Sequence, residues 1–149
     1  MSPLETSPPA RSPLQAEVEI DVEFHEVDAM QVTWHGHYVK YFERARGALL
    51  RKIGYDYPEM RESGYMWPIV DCRLRYAAPA RYGQRLIARA VLREWENRLR
   101  IDYHIRDAAS GAKLTTGSTI QVAVAMASGE LQFVSPAVLL EKLERAWAG

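Results

Sequence analysis

Phe24-His25-Glu26-Val27-Asp28-Ala29-Met30-Gln31-Val32-Thr33-Trp34-His35-Gly36-His37-Tyr38 joins two segments of different periodicity. Before it, Val18, Ile20, Val22 and Phe24 alternate with Glu19, Asp21 and Glu23, which is the period of a half-buried strand with one charged face. After it, Tyr38, Tyr41, Phe42, Ala45, Ala48, Leu49 and Ile53 recur at steps of three and four, which predicts a long helix. Asp28 therefore falls between a strand and the mouth of a helix. A carboxylate there can attack an acyl carbon or activate water. The free N–H groups of a helix start can polarise a carbonyl oxygen. Such a pair can build a hydrolytic site without Ser, Cys or metal.

Working outward, Gly54 suits the end of that helix, with Arg51 and Lys52 in its last turn where the dipole favours cations. Its three aromatic and two small residues on the apolar side predict a central helix wrapped by something broad. Asp56 to Glu62 reads as a short helix, with Asp56 as N-cap and Pro58 near the first turn. Four extended segments follow, near Ile69 to Ala78, Arg85 to Glu96, Leu99 to Arg106 and Lys113 to Met126. Their tight dividers imply an antiparallel meander. Glu130 to Val134 suits a short edge strand. Ser135 and Pro136 read as N-cap and first residue of a last helix carrying Leu139, Leu140, Leu143 and Trp147 on one side. Strand, long helix and a run of strands define an α+β chain with one long helix on one curved antiparallel sheet.

The 149 residues suit one domain. Residues 1–14, with four of the chain's eight prolines, are expected to be a disordered tail, and 15–149 a single domain ending in a helix. The 19 basic residues cancel the 19 acidic ones, so nothing global attracts nucleic acid, and no binding motif for it is visible. Cys72 is the only cysteine, so no internal disulfide forms. No run approaches the ~20 apolar residues of a membrane span, and the amino end lacks the apolar core of a secretory signal. A cytoplasmic location is expected.

The site residues carry plain readings beside the chemical ones. Asp28 equally suits an Asx turn. His35, seven residues on, could hold a carbonyl, orient water or protonate a leaving thiolate, or simply bond backbone. Gly36 and His37 are expected to open the helix and offer N–H groups to an oxyanion. Tyr38 is expected to pack. His35, His37 and Asp28 could begin a metal set, but no further strong ligand stands at close spacing. Glu43, near Arg44 and Arg46, reads as a salt-bridged acid. Trp67, Tyr76, Trp95 and Tyr103 read as packing residues, Cys72 as a buried thiol, and the many strand arginines as a solvated face of which a few could hold phosphates.

Asp28 through Tyr38, followed by Tyr41-Phe42-Glu43-Arg44-Ala45-Arg46, resembles the hotdog fold's 4-hydroxybenzoyl-CoA thioesterase-like branch, including the YbgC and FadM-type acyl-CoA thioesterases. The motif match spans about Phe24 to Gly54, and the order of elements extends it from about Glu17 to Val134. The resemblance implies a curved antiparallel sheet wrapped around a long central helix, with Asp28 as catalytic carboxylate and His35 in the same site. It places Trp34 where relatives carry Tyr or Asn. The chain departs at Met30-Gln31, where relatives commonly carry glycine, and at His37, where Asn is usual; Met30 and Gln31 are expected to shape the acyl pocket instead. Glu94-Trp95-Glu96-Asn97-Arg98 is similar to thioesterase-like proteins of aryl-polyene pathways. Implied activity is hydrolysis of an acyl-CoA or acyl-carrier-protein thioester by a homodimer or homotetramer, with no cofactor beyond the CoA or phosphopantetheine of the substrate. A hydratase or dehydratase on the same fold, or a non-catalytic acyl-thioester binder, is the competing reading.

Overall fold

The structure, a computed structural model, describes residues 12–149. Its elements are β1 (Gln15–Asp21), a 3-10 turn (Phe24–Glu26), α1 (His37–Ile53), α2 (Tyr57–Glu62), β2 (Tyr65–Met66), β3 (Ile69–Tyr76), β4 (Arg85–Glu94), β5 (Leu99–Asp107), β6 (Lys113–Gln121), β7 (Val124–Ala125) and α3 (Ala137–Ala148). Five strands form one sheet in the order β1-β4-β5-β6-β3, and β2 with β7 forms a separate ribbon. Every named pairing is antiparallel. The sheet curves over α1, as the hotdog resemblance requires.

The helix buries Tyr38, Tyr41, Phe42, Ala45, Leu49, Leu50 and Ile53 against Ile20, Leu86, Ala88, Leu99, Ile101 and Ile105 of the strands. Phe42 stacks on Tyr103 of β5 with centroids 4.4 Å apart and planes 7° from parallel. Gly117 of β6 permits that approach, because a Cβ there would stand 2.5 Å from the Phe42 ring and 2.3 Å from the Arg73 carbonyl oxygen. Leu139 and Leu143 of α3 are fully buried in the same core. Gly54 ends α1 at φ 80°, its N–H bonding the Arg51 and Leu50 carbonyls. Asp56 caps α2 through a capping box with Glu59.

Several boundaries differ from the sequence reading. Residues 1–11 of the expected tail lie outside the described residues, but the tail does not extend to residue 14. Leu14 is 7% exposed, and its carbonyl accepts the Leu92 N–H at 2.9 Å. β1 starts at Gln15 instead of Val18 and stops at Asp21, short of Phe24. Glu23 and Glu26 bond each other's backbone and wind the chain into the 3-10 turn, which leaves Phe24 75% exposed. The strand expected over Lys113–Met126 breaks after Gln121, and its last part pairs with β2. Glu130–Val134 contributes only an isolated bridge from Leu131 to Val124. Pro136 is the N-cap of α3, with Ser135 before it and its hydroxyl unbonded among the described residues. Cys72 is exposed on β3, because β3 is an edge strand.

Arg46, on the helix, is 3% exposed. Its guanidinium donates to the Tyr57 hydroxyl at 3.2 and 3.3 Å and to the Tyr103 hydroxyl at 3.2 Å, while the exposed Glu43 stands 3.8 Å away. The two sheet edges differ. Along β1, Lys52 donates to the Gln15 carbonyl at 2.8 Å and Arg44 to the Glu19 carbonyl at 3.5 Å. β3 carries exposed Ile69, Val70 and Tyr76. The outer sheet face holds an ion-pair lattice in which Glu17 meets Arg89 at 2.7 Å and Arg106 at 3.1 Å, and Asp102 meets Arg93 and Arg100 at 3.1 and 3.2 Å.

Candidate active site

The segment between β1 and α1 is a small hairpin closed by a bridge between Val27 and Thr33. Asp28 begins its turn. The Asp28 N–H donates to the Val32 carbonyl, the Gln31 N–H to the Asp28 carbonyl, both at 2.9 Å, and the Met30 N–H to Asp28 Oδ1 at 2.8 Å. That is the Asx turn anticipated as the plain reading, and it leaves the other carboxylate oxygen unbonded among the described residues. Gln31 has φ 63°. The left-handed backbone at this turn is thus adopted by a residue with a Cβ, at some cost in strain.

The hairpin is tied to the β3–β4 connection. The Thr33 N–H donates to the Ala80 carbonyl at 2.7 Å, and Val32 bridges to Arg81. The chain then runs into α1 through Trp34, His35 and Gly36, the last being the N-cap. The Trp34 ring lies over Gly36, where a Cβ would come within 2.2 Å of it, so this position admits only glycine without moving the indole. The same ring lies 5.0 Å from His35 and 5.5 Å from His37. The His37 N–H donates to the Trp34 carbonyl at 2.9 Å and is spent there. His35 and Gly36 N–H groups donate to no acceptor among the described residues. Of the two N–H groups expected to be free at Gly36 and His37, that of Gly36 is without an acceptor among the described residues, and that of His35 joins it in place of His37.

A cavity of about 240 Å³ opens at this helix mouth, lined by Thr33, His35, Tyr38, Tyr76 and the Ala77–Pro79 stretch. Tyr38 is buried, its hydroxyl accepting the Ala80 N–H at 3.0 Å. Tyr76 meets Tyr38 edge-on at 5.2 Å, and its hydroxyl donates to the His35 carbonyl at 3.0 Å. Burial pushes the Tyr76 phenol above its ordinary range, helped by Tyr38 and Cys72, so it remains a donor through neutral pH. Deeper, the Tyr41 hydroxyl donates to Glu26 Oε1 at 2.9 Å, and burial first, then that carboxylate, keeps this phenol neutral as well.

The structure thus brings His35 and Tyr38 into one cavity. Asp28, Met30 and Gln31 sit exposed on the adjoining turn and are not among the residues that line this cavity. The Met30 and Gln31 N–H groups are both committed to Asp28. Read from sequence, Tyr76 has only a packing role, since nothing in an alternating strand marks which aromatic will meet a loop 41 residues earlier. Glu94 pairs with Arg98 at 3.0 Å across the β4–β5 turn, and Trp95 packs on Trp147 at 5.0 Å, which gives that stretch a structural role. Among the described residues no three of His, Cys, Asp and Glu gather to hold a metal ion, and no helix is long and apolar enough to cross a membrane.

A sheet wrapped on a central helix, with an acid-bearing turn and a cavity at the helix mouth, defines a hotdog protein of the thioesterase type. The chain belongs to the thioesterase-like superfamily, whose sequence profile matches residues 22–143. It is 32% identical over 128 residues to a candidate esterase of Synechocystis, covering 85% of this chain and 77% of that protein. It is 28% identical over 102 residues to the candidate acyl-CoA thioesterase YneP of Bacillus subtilis, covering 68% and 74%. The solved DHNA-CoA thioesterase of Staphylococcus aureus superposes with a TM-score of 0.77 at 24% identity, over 90% of this chain and 89% of that one.

Proposed function

We propose that the chain hydrolyses acyl-CoA thioesters, with Asp28 as the reacting carboxylate and the His35 and Gly36 N–H groups as the oxyanion hole. One observation carries this reading. The turn that fixes Asp28 by one oxygen leaves the other free, and the same segment leaves two N–H groups without acceptors beside a cavity. A thioester carbonyl held by those N–H groups becomes more electrophilic as its oxygen gains charge. The free carboxylate oxygen then either attacks the carbon, expelling the thiolate and leaving a mixed anhydride that water hydrolyses back to Asp28 and free acid, or takes a proton from a water that attacks the carbon as the thiolate leaves. His35, a residue of the cavity lining, then donates a proton to that thiolate. The name of the Bacillus relative, an acyl-CoA thioesterase, supports the substrate class.

Asp28 is exposed in the single chain, as are Phe24, Met30, Trp34, Tyr76 and Tyr82 in the segments around it. An apolar collar around a reacting acid suits closure by a second copy, so the working enzyme is a homodimer whose sites lie at the subunit boundary. The Asp28→Asn variant tests the reaction. Its amide oxygen can still accept the Met30 N–H, so the turn and the fold persist, while nucleophile and base are lost. Hydrolysis of an acyl-CoA, followed by thiol release, should fall at least about a hundredfold. Unchanged turnover in a folded Asp28→Asn protein would refute the assignment.

A further inference from the structure

We propose that Tyr76 is a positioning residue for the oxyanion hole, acting through the His35–Gly36 peptide; the inference rests on the thioesterase reading. The Tyr76 hydroxyl holds the His35 carbonyl oxygen at 3.0 Å. A peptide unit is planar and trans, so its C=O and N–H point in opposite directions. Fixing the His35 oxygen therefore fixes the direction of the Gly36 N–H, one of the two donors left without an acceptor. Nothing else among the described hydrogen bonds donates to that carbonyl. The anchor itself is stiff. Tyr76 pairs with Thr115 in the sheet, and its ring packs edge-on against the buried Tyr38. Tyr38 is locked in turn by the Ala80 N–H. Without the phenol the peptide can rock, since Gly36 has no side chain and its neighbour Trp34 is half exposed. Electrostatic catalysis depends on donors that are already aimed when charge develops.

The test is Tyr76→Phe, which keeps the ring and the packing at a half-exposed position and removes only the hydroxyl. Two readouts separate positioning from general support. In ¹⁵N-labelled protein the Gly36 amide resonance should move, because the carbonyl of its own peptide loses a hydrogen bond. In hydrolysis, kcat should fall about fivefold to tenfold with KM unchanged, the size of one neutral hydrogen bond realised in the transition state. Wild-type kcat in Tyr76→Phe, alongside lost turnover in Asp28→Asn, overturns the proposal and leaves the functional reading standing. If Asp28→Asn keeps its turnover, the functional reading fails instead, and an unmoved Gly36 resonance would overturn the role of Tyr76 independently.

Discussion

Gln31 is where local chemistry and backbone geometry disagree. Its φ of 63° closes the turn that holds Asp28, and a Cβ in that region is strained. Gln31→Gly removes the strain and adds freedom to the unfolded chain, two effects of opposite sign. The strain is the larger, so the variant should gain roughly 0.5–1 kcal/mol in urea unfolding, with the midpoint raised and the slope unchanged. The sequence offers two readings of Asp28, a reacting acid and an Asx-turn acid. The structure realises the turn with one oxygen and leaves the other available, so the two readings do not compete. Arg46 was not visible. A charged residue on a helix defaults to solvent, and the hydroxyls that shelter this one come from Tyr57 and Tyr103, 11 and 57 positions along the chain.

The long elements were legible because their periods persist. α1 keeps its three-and-four spacing over 17 residues, and β5 alternates without a fault from Leu99 to Ile105. The short ones were not. β2 and β7 have two residues each, too few for any period, and only their pairing defines them. Alternation also ran past its proper end at Phe24, where the Glu23–Glu26 capping pair overrode it. On the charged side of the sheet, His104 faces Arg89 directly across the β4–β5 ladder. Burial, then Arg89, Arg106 and Lys113, lower its pKa from the ordinary 6.5. The unfolded chain therefore takes up this proton at higher pH than the folded one, and stability present above pH 6.5 is lost as pH falls through the depressed folded value. Urea midpoints measured from pH 8 downward should show this decline, and His104→Gln should lack it. A second loss begins only below 4.5, where Glu17, held low by Arg106 and Arg89, gains its proton.

At the scale of the whole molecule, the exposed row Ile69, Val70, Cys72 and Tyr76 along β3 ends at Tyr76, which bonds the His35 carbonyl next to the exposed Asp28 turn. Pairing of two chains through this edge, the proposed dimer, would cover both. Sedimentation should then give twice the 17.0 kDa chain mass. The Cys72 thiol, the only one in the chain, should react slowly with a thiol reagent at high protein concentration and faster on dilution; a 17.0 kDa species with a concentration-independent rate would exclude the pairing. The opposite margin of the sheet behaves otherwise. Lys52 and Arg44 already occupy the outward carbonyls of Gln15 and Glu19, so β1 has few places for a foreign strand to register. With one border fenced by its own cations and the other consumed symmetrically, a dimer of this chain has no sticky end left to extend, and strand addition stops at two instead of running on into a filament.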